Sequence, residues 1–441
     1  MRASLFCVSV TALSVGASFD DAAAQRRAPS DLRDSVLDKL RRDYQPDGAR
    51  AGAFVVSPVA RASIAYKDNL FAVPPGFDAN QPEELTEPKD AMVYTIGGGL
   101  QLQSDWPIHG VRAFADVTTE RIPEFDTESA TSYVVGGEGL LELGQSTDFR
   151  VRGQYSSDFE DRTTFFAPFT ASSRTQFSGP DVDARLVRRA GSVEFIGGVA
   201  YTASDYDDSV DFDGTVVGQD FRDYDQLTFT TEIGANISNG AKFFVRGDYA
   251  QARFDVQPDP AVAISPDADQ YSVLGGVSLD ITNLIYGEAA IGFQVRDFVD
   301  PNTDNADFFS VDVDLEWYVQ PQTTVFLDIL RTAREAQAIG LAGAVATRAE
   351  LGVQRKLRYN LAAVGRVAYR DANFDGFVIT ENRDIDRDDT DFVAGADLVY
   401  YLRNGVRATL SYEHIDRDSE GLDLGRAFVL NRVGLELQAN F

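Results

Sequence analysis

Apolar and polar residues alternate along the chain from Phe54 to its last residue, in segments that turn residues separate. Successive side chains of a β-strand point to opposite faces, so this alternation predicts strands with one apolar and one polar face. The final segment, Arg432–Phe441, shows the pattern clearly. Its apolar row is Val433, Leu435, Leu437, Ala439 and Phe441, and Gly434, Glu436, Gln438 and Asn440 lie between them.

The connections between these segments are alternately short and long. The short connections centre on 104–110, 144–147, 189–192, 238–240, 282–283, 320–322, 357–360 and 403–405. The long ones, rich in Asp, Pro and Asn, are 67–90, 159–176, 204–223, 255–269, 297–306 and 372–389. A soluble sandwich lacks this asymmetry, which is typical of outer-membrane barrels with tight periplasmic turns and extended outer loops. We therefore predict an all-β, transmembrane, antiparallel up-and-down outer-membrane β-barrel of about 18 strands, and 16 strands would also fit.

The two faces of the predicted strands differ in charge. The apolar rows, such as Val311, Val313, Leu315 and Trp317, are expected to face lipid. Charged residues occupy the alternate positions, and because buried unpaired charges are costly, those positions need water. A barrel of this size is wide enough for an aqueous lumen. The candidate lumen-lining residues are Arg150, Arg152, Asp312, Asp314, Glu316, Arg348, Glu350, Arg366 and Arg370.

The N-terminal region differs from the rest of the chain. Arg2, an apolar run over 3–17 and the small residues Ala22–Ala24 predict a signal peptide over residues 1–24, which would carry away Cys7, the single cysteine. Residues 25–52 are predicted to be a periplasmic N-terminal segment outside the barrel. Leu32, Val36, Leu37 and Leu40 at helical spacing indicate a short amphipathic helix there. The barrel is then expected to span residues 53–441.

Charge and hydropathy limit the possible functions. No later stretch approaches 18 apolar residues, which excludes a transmembrane helix, and the mean hydropathy of -0.20 is compatible with alternating strands. A net charge of -29 argues against binding nucleic acid. The acidic runs Asp205–Asp213 and Asp384–Asp391 have the ligand type that calcium prefers, but solvated loops are the expected interpretation. No cofactor or metal site is predicted.

The chain has two histidines, which bear on a possible enzymatic activity. His109 lies in a predicted periplasmic turn, and His414 shares the lipid-facing row of Leu410 and Tyr412. A Ser–His or Asp–His arrangement needs partners beside the imidazole. We therefore predict no enzyme, with a barrel-embedded lipase or protease as the alternative.

Two stretches carry resemblances to known proteins. The last strand, with Gly434, Leu435, Leu437, Ala439 and Phe441, resembles the C-terminal signal by which outer-membrane barrels are recognised for insertion. The stretch 46–54 (PDGARAGAF), followed by Pro58 and by 65–72 (AYKDNLFA), resembles the opening of the Putative β-barrel porin type 2 family of Proteobacteria. Lys67 stands where the family pattern has an acidic residue.

This resemblance implies an integral outer-membrane barrel of a Gram-negative bacterium, often linked to export of exopolysaccharide or capsule. It also implies partners: outer-membrane lipid and lipopolysaccharide, the barrel assembly machinery, a periplasmic polysaccharide-export protein and an inner-membrane copolymerase. The leading prediction is a conduit for exported polysaccharide. A general or substrate-specific porin for small solutes, or a structural or adhesive barrel, are the alternatives.

Overall fold

A computed structural model describes most of the chain. The described residues are 35–44, 46, 48–74, 83–165, 171–238, 240–255, 265–281, 284–300, 305–335, 343–374, 387–402, 405–421 and 427–441. The longest helix among them, α1, spans Val36–Tyr44, and a second, α2, spans Glu83–Thr86. Within these ranges no helix has the length and apolar character needed to cross a membrane.

The described residues contain 21 strands. They are β1 (Ala49–Ala51), β2 (Phe54–Lys67), β3 (Ala91–Ser104), β4 (Gly110–Arg121), β5 (Ala130–Glu142), β6 (Thr147–Phe159), β7 (Gln176–Ala190), β8 (Val193–Tyr206), β9 (Ser209–Val210), β10 (Val216–Val217), β11 (Tyr224–Ser238), β12 (Ala241–Phe254), β13 (Ala268–Ile281), β14 (Ile285–Phe298), β15 (Ala306–Gln320), β16 (Thr323–Glu335), β17 (Gly343–Arg358), β18 (Leu361–Asn373), β19 (Arg387–Tyr401), β20 (Val406–Gly421) and β21 (Phe428–Asn440).

Eighteen of these strands, β2–β8 and β11–β21, form one closed antiparallel barrel. Each pairs with its neighbours along the chain, and β8 pairs with β11. The first and last barrel strands close the cylinder, since β2 and β21 pair from Val59↔Asn440 to Lys67↔Arg432. The predicted fold class and the count of about 18 strands are confirmed. The short strand β1 folds back on β2, and β9 and β10 form a small hairpin between β8 and β11.

The asymmetry of the connections is also present in the structure. Five predicted turns lie entirely within the described residues: 104–110, 144–147, 189–192, 320–322 and 357–360 join β3 to β4, β5 to β6, β7 to β8, β15 to β16 and β17 to β18. Gly144 and Gly191 have positive φ values of 84° and 62°, which residues other than glycine rarely adopt. The predicted turns at 238–240 and 403–405 lie partly outside the described residues, and the one at 282–283 lies wholly outside them. We call the end of the barrel that carries the short turns the short-turn end and the opposite end the long-loop end.

The outer surface of the barrel is apolar. Ile96, Phe293 and Leu437 are 71%, 73% and 51% exposed, respectively, and each alternates with less exposed neighbours along its strand. Such a large exposed apolar surface is the one that lipid covers in a membrane barrel. Three of the buried apolar clusters lie inside the two ends of the cylinder, where segments outside the barrel strands pack on the inner wall.

Candidate functional site

The inner wall of the barrel carries the charged residues. Arg246 on β12 and Asp312 on β15 illustrate this, because two strands separate β12 from β15. Their side chains nevertheless meet, with 3.0 Å between Arg246 Nη1 and Asp312 Oδ2. Side chains from non-adjacent strands can meet in this way only across the concave face. Residues that share their faces, by the alternation along each strand, therefore line the lumen.

The structure places all nine candidate residues on that inner face, on two parts of the wall. Arg150 and Arg152 lie on β6, where Arg152 donates to Gln154 at 2.8 Å and approaches Glu138 at 3.9 Å. The other candidates lie on β15, β17 and β18. The nine do not form a single cluster.

The candidates on β15–β18 take part in ion pairs and hydrogen bonds with neighbouring strands. The contacts are Arg348 with Glu350 and, at 3.9 Å, with Asp328; Arg366 with Asp397 at 3.0 Å and Glu413 at 3.1 Å; Arg370 with Asp391 at 3.8 Å; and Glu316 with the Tyr318 hydroxyl. Asp314 lies opposite Asp328 in the register between β15 and β16. The wall thus presents positive and negative groups side by side.

The centre of the largest charge network was not among the candidates. Arg246 contacts Glu232 at 3.1 Å and also Glu288, in addition to Asp312, and Lys242 reaches Glu232 at 3.0 Å. The alternation along β11, β12 and β14 would have placed these side chains on the inner face, but sequence alone does not show that they converge. Paired charges tolerate their partial burial because each guanidinium or carboxylate keeps hydrogen-bonding partners.

At the short-turn end, helix α1 lies inside the barrel. Ser35 caps it, accepting a hydrogen bond from the Asp38 amide at 3.2 Å and donating to the Asp38 carboxylate at 2.7 Å. The amides of Val36 and Leu37, which have no partner within a helix, donate to the wall residues Thr324 and Gln354 at 3.2 and 3.0 Å.

The apolar face of α1 completes this attachment. Val36 and Leu40, 1% and 0% exposed, pack on Ala362, Val399 and Tyr401 of the inner wall. The predicted helix therefore exists, but the expectation that it lies outside the barrel is wrong. Its apolar stripe would be exposed to water outside, whereas the inner wall offers apolar side chains and hydrogen-bond acceptors at this end.

At the long-loop end, the residues that follow β2, which belong to the sequence stretch 65–72 described above, connect the first and last barrel strands. Asn431 on β21 donates its amide to Asp68 Oδ1 at 2.7 Å. The Asn69 side chain donates to the carbonyls of Val73 and Val429, at 2.8 and 3.0 Å, and accepts the Val73 amide at 3.0 Å. These bonds join the first strand to the last and turn the following residues inward.

The residues after Asn69 cross into the lumen. Phe71, 1% exposed, packs edge-on against Phe125 and Phe212, with ring centroids 5.1 and 6.1 Å apart. Ala72 has a φ of 50° and is fully buried in a cluster on the inner wall with Ala368, Val393, Ile415, Phe428 and Leu430. The residues after β2 therefore form an apolar segment inside the long-loop end of the barrel.

The loop between β6 and β7 joins this segment. Arg162 donates to Glu128 at 3.2 Å and lies 5.6 Å from the centre of the Phe71 ring. Arg222, which precedes β11, pairs with Glu160 at 2.7 Å. We define the lid as residues 68–74, 160–165, 171–175 and 207–223, which meet in this region.

Two arginines of the barrel wall hold the lid from the other side. Arg417 on β20 pairs with Asp391 at 2.6 Å and donates to the Thr163 carbonyl at 2.7 Å. Arg387 at the start of β19 pairs with Asp389 and donates to the Phe165 carbonyl at 2.7 Å. The lid is thus bonded to strands on the side of the barrel away from β6 and β7.

These contacts correct the expectation for the second acidic run. Asp389 and Asp391 are fully buried and paired with arginines rather than solvated. Residues 384–386 of that run lie outside the described residues. In the first run, Asp213 accepts the Thr215 amide at 2.8 Å in the β9–β10 hairpin. Among the described residues, no group of three or more His, Cys, Asp or Glu side chains is arranged to hold a metal ion.

Two carboxyls of the lid have shifted pKa values. Burial alone would raise the pKa of Asp161, but Lys67, 3.6 Å away, and hydrogen bonds from Thr163 outweigh it and hold that pKa below its usual range. Burial, together with the charges of Asp205, Asp220 and Asp255, raises the pKa of Asp223 to about 6. A hydrogen bond from the Tyr206 amide opposes this rise.

A family model described as Putative beta-barrel porin 2 matches residues 42–441 of the chain. The chain belongs to this family. A search of curated proteins found no significant match.

Solved structures that resemble this barrel include outer-membrane proteins of two bacteria. A ferric enterobactin receptor (PfeA) mutant from Pseudomonas aeruginosa is 8% identical with a TM-score of 0.45, covering 89% of this chain and 82% of that one. OccAB4 from Acinetobacter baumannii is 11% identical (TM-score 0.43, 88% and 98% covered), and OpdQ from P. aeruginosa is 10% identical (TM-score 0.42, 88% and 97% covered).

The hydrogen-bond partners of the two histidines bear on whether this porin-family barrel could be an enzyme. His109 accepts the Glu142 backbone amide through Nδ1 at 3.3 Å in the turn between β3 and β4. His414 lies 2.9 Å from the Asn431 side chain. Neither of these partners is a nucleophile or a carboxylate of the kind that a hydrolase pairs with its imidazole. The family and the charged inner wall favour a transport channel.

Proposed function

We propose that this porin-family barrel is a channel for small hydrophilic solutes across the outer membrane. The observation that carries the proposal is the arrangement of the lumen. A wall of paired charges lies between a lid at the long-loop end and helix α1 at the short-turn end. A polar wall admits solutes that lipid excludes, and the segments inside both ends restrict their size.

The pairing of charges also bears on selectivity. Arg366 lies between Asp397 and Glu413, and Arg246 is surrounded by carboxylates. Because opposite charges alternate around the wall, we expect the channel to pass small solutes of either sign and to discriminate mainly by size and hydrogen bonding.

Osmotic swelling of proteoliposomes tests this function directly. Full-length protein reconstituted into liposomes should let arabinose, glucose and glycine enter, and the liposomes should swell. Dextran should stay excluded, and liposomes with heat-denatured protein serve as the control. If none of the small solutes enters faster than in the control, the channel proposal is wrong.

Export of a polysaccharide is the second candidate, and one observation favours it. Helix α1 is short, and its contacts with the wall include two hydrogen bonds from backbone amides, one from the Tyr44 hydroxyl and a local apolar cluster. A periplasmic polysaccharide-export protein that binds at the short-turn end would displace it and widen the passage. Surface polysaccharide in a strain lacking the protein, compared with the complemented strain, tests this role. An unchanged amount would exclude it under those conditions.

We also propose that residues 1–24 are a cleaved signal peptide and that the outward row of β21 is read by the barrel assembly machinery. Leu435 and Leu437 face outward, as does Phe441, whose amide donates to the Pro58 carbonyl at 3.0 Å. The N-terminal sequence of the mature protein tests the cleavage. A Phe441→Ser variant should accumulate less folded barrel in the outer membrane, and normal accumulation would argue against the signal.

A further inference from the structure

One sector of the inner wall differs in chemistry from the rest. In one stretch of the inner wall formed by β11–β16, most inward positions carry uncharged hydrogen-bonding side chains instead of charged ones. These residues are Gln226, Thr228, Gln270, Ser272, Gln294, Ser310 and Thr332. They line a recess of about 200 Å³ that opens to the lumen, and Arg246, Asp248 and Asp312 complete its polar lining.

The recess is a built feature with a buried floor. Gln294, Ser310 and Ser272 are 3%, 5% and 7% exposed. Asp248 accepts hydrogen bonds from the hydroxyls of Thr230 and Ser272 at 2.7 and 2.8 Å, which hold its carboxylate in place. Gln294 accepts the Thr332 hydroxyl at 3.3 Å. These bonds fix the orientation of the floor groups before any solute arrives.

Charges and aromatic rings bound the recess on opposite sides. Towards the short-turn end lies Arg246 with its carboxylate partners, so its charge is compensated. Towards the long-loop end, the inward rings of Tyr224 and Phe254 pack together, with centroids 5.5 Å apart, and Phe298 lies two strands further along. The recess therefore presents amide and hydroxyl groups, and the ring pair lies beyond its lining towards the long-loop end.

We infer that this recess binds an uncharged polyhydroxylated solute, one sugar ring in size. The inference rests on the proposed channel function and names a substrate class for it. The amide and carboxylate groups of the recess can pair with the hydroxyls of such a solute. A recess of about 200 Å³ holds several water molecules, which a sugar ring with its hydroxyls would replace. An anion would find the charge of Arg246 already paired with carboxylates.

Titration calorimetry of the purified full-length barrel with glucose tests the inference. Gln270→Leu and Gln294→Leu remove amides from the recess at similar volume. Gln101→Leu, on the inner face of β3 far from the recess, is the matched control. We expect each recess variant to bind glucose about tenfold or more weakly, since a lost hydrogen bond of this kind is a change of that order, and the control to bind like wild type.

Ser310→Ala, a smaller change, covers the case in which a glutamine variant fails to fold, and should also weaken binding. No glucose binding by the folded wild-type barrel would overturn the inference, as would equal binding by all variants. Maltohexaose binding more tightly than glucose would identify the ligand as the end of a glycan chain, and equal or weaker binding would identify a free sugar.

Swelling and conductance of the same preparations separate this inference from the channel function. A barrel that passes small solutes but does not bind glucose leaves the channel standing and removes the sugar site. A barrel that binds glucose at the recess but passes nothing keeps the site and removes the channel.

Discussion

Replacing Arg417 by Met should open the lid. Arg417 and Asp391 are 3% and 0% exposed, and their side chains make two hydrogen bonds, of 2.6 and 2.9 Å. Arg417 also donates to the carbonyls of Thr163 and Thr164, at 2.7 and 3.3 Å, and lies 4.4 Å from the Phe165 ring. All of the lid contacts of this side chain exist only when the lid is closed.

The magnitude follows from these contacts. Removing one partner of a buried ion pair costs ~3–5 kcal/mol, and Arg370, 3.8 Å from Asp391, retains part of that interaction. Each lost hydrogen bond from a charged donor adds ~1.5–3 kcal/mol in favourable geometry. Opening would let water reach Asp391, so both effects favour the open lid. We expect the closed state to lose at least about 3 kcal/mol, which is roughly a hundredfold or greater change in the ratio of closed to open.

Single-channel recording in planar bilayers measures this ratio. Arg417→Met should show a larger conductance or a much greater open fraction than wild type. Arg366→Met is the matched control, because it also removes an inward arginine that is ion-paired on the wall, here with Asp397 and Glu413, but among the described residues it touches no part of the lid. If the two variants behave alike, Arg417 does not hold the lid and the reasoning is refuted.

Three further predictions concern the two ends of the lumen. Phe71→Ala should cost about 3–5 kcal/mol of lid stability and speed proteolysis of the lid in an intact barrel; an unchanged cleavage rate would contradict the packing of Phe71. Leu40→Asp should expel α1 from the wall, because it buries a charge in an apolar contact, and raise conductance with the lid closed; unchanged conductance would show that α1 does not narrow the passage. Asp223 has a folded-state pKa of about 6, above its unfolded value of 3.8. Its contribution to lid stability is therefore present below about pH 4 and lost as the pH rises through 6. Lid opening should increase over that window in wild type and not in Asp223→Asn, and equal pH profiles would argue against this assignment.

The sequence predicted the barrel because its signal is local. Alternation along each strand fixes the two faces, and the turn residues fix the ends, so rows such as Val311–Trp317 could be oriented without long-range information. The same alternation would have extended the inner face to Arg246 and Glu232. Strand register, which brings Arg246 to Asp312 across two intervening strands, depends on the closed sheet and cannot be inferred from the sequence of any one segment.

The segments inside the barrel were harder to predict for a different reason. Helix α1 is amphipathic whether it lies in the periplasm or on the inner wall, and only the apolar residues Ala362, Val399 and Tyr401 at that end decide its place. Likewise, Asp389 and Asp391 read as a solvated acidic run because Arg417, the partner of Asp391, lies on another strand and the lid that covers this region comes from a distant part of the chain.

The central claim is that charged residues face a water-filled lumen while their apolar neighbours face lipid. Asp314 and Leu315 are adjacent on β15 and point in opposite directions. In a Cys7→Ser background, which removes the single cysteine, Asp314→Cys should react quickly with a membrane-impermeant thiol reagent and the reaction should reduce conductance. Leu315→Cys should react slowly and without effect on conductance. Fast reaction at Leu315→Cys, with protection at Asp314→Cys, would contradict the assignment of the two faces and the channel that depends on it.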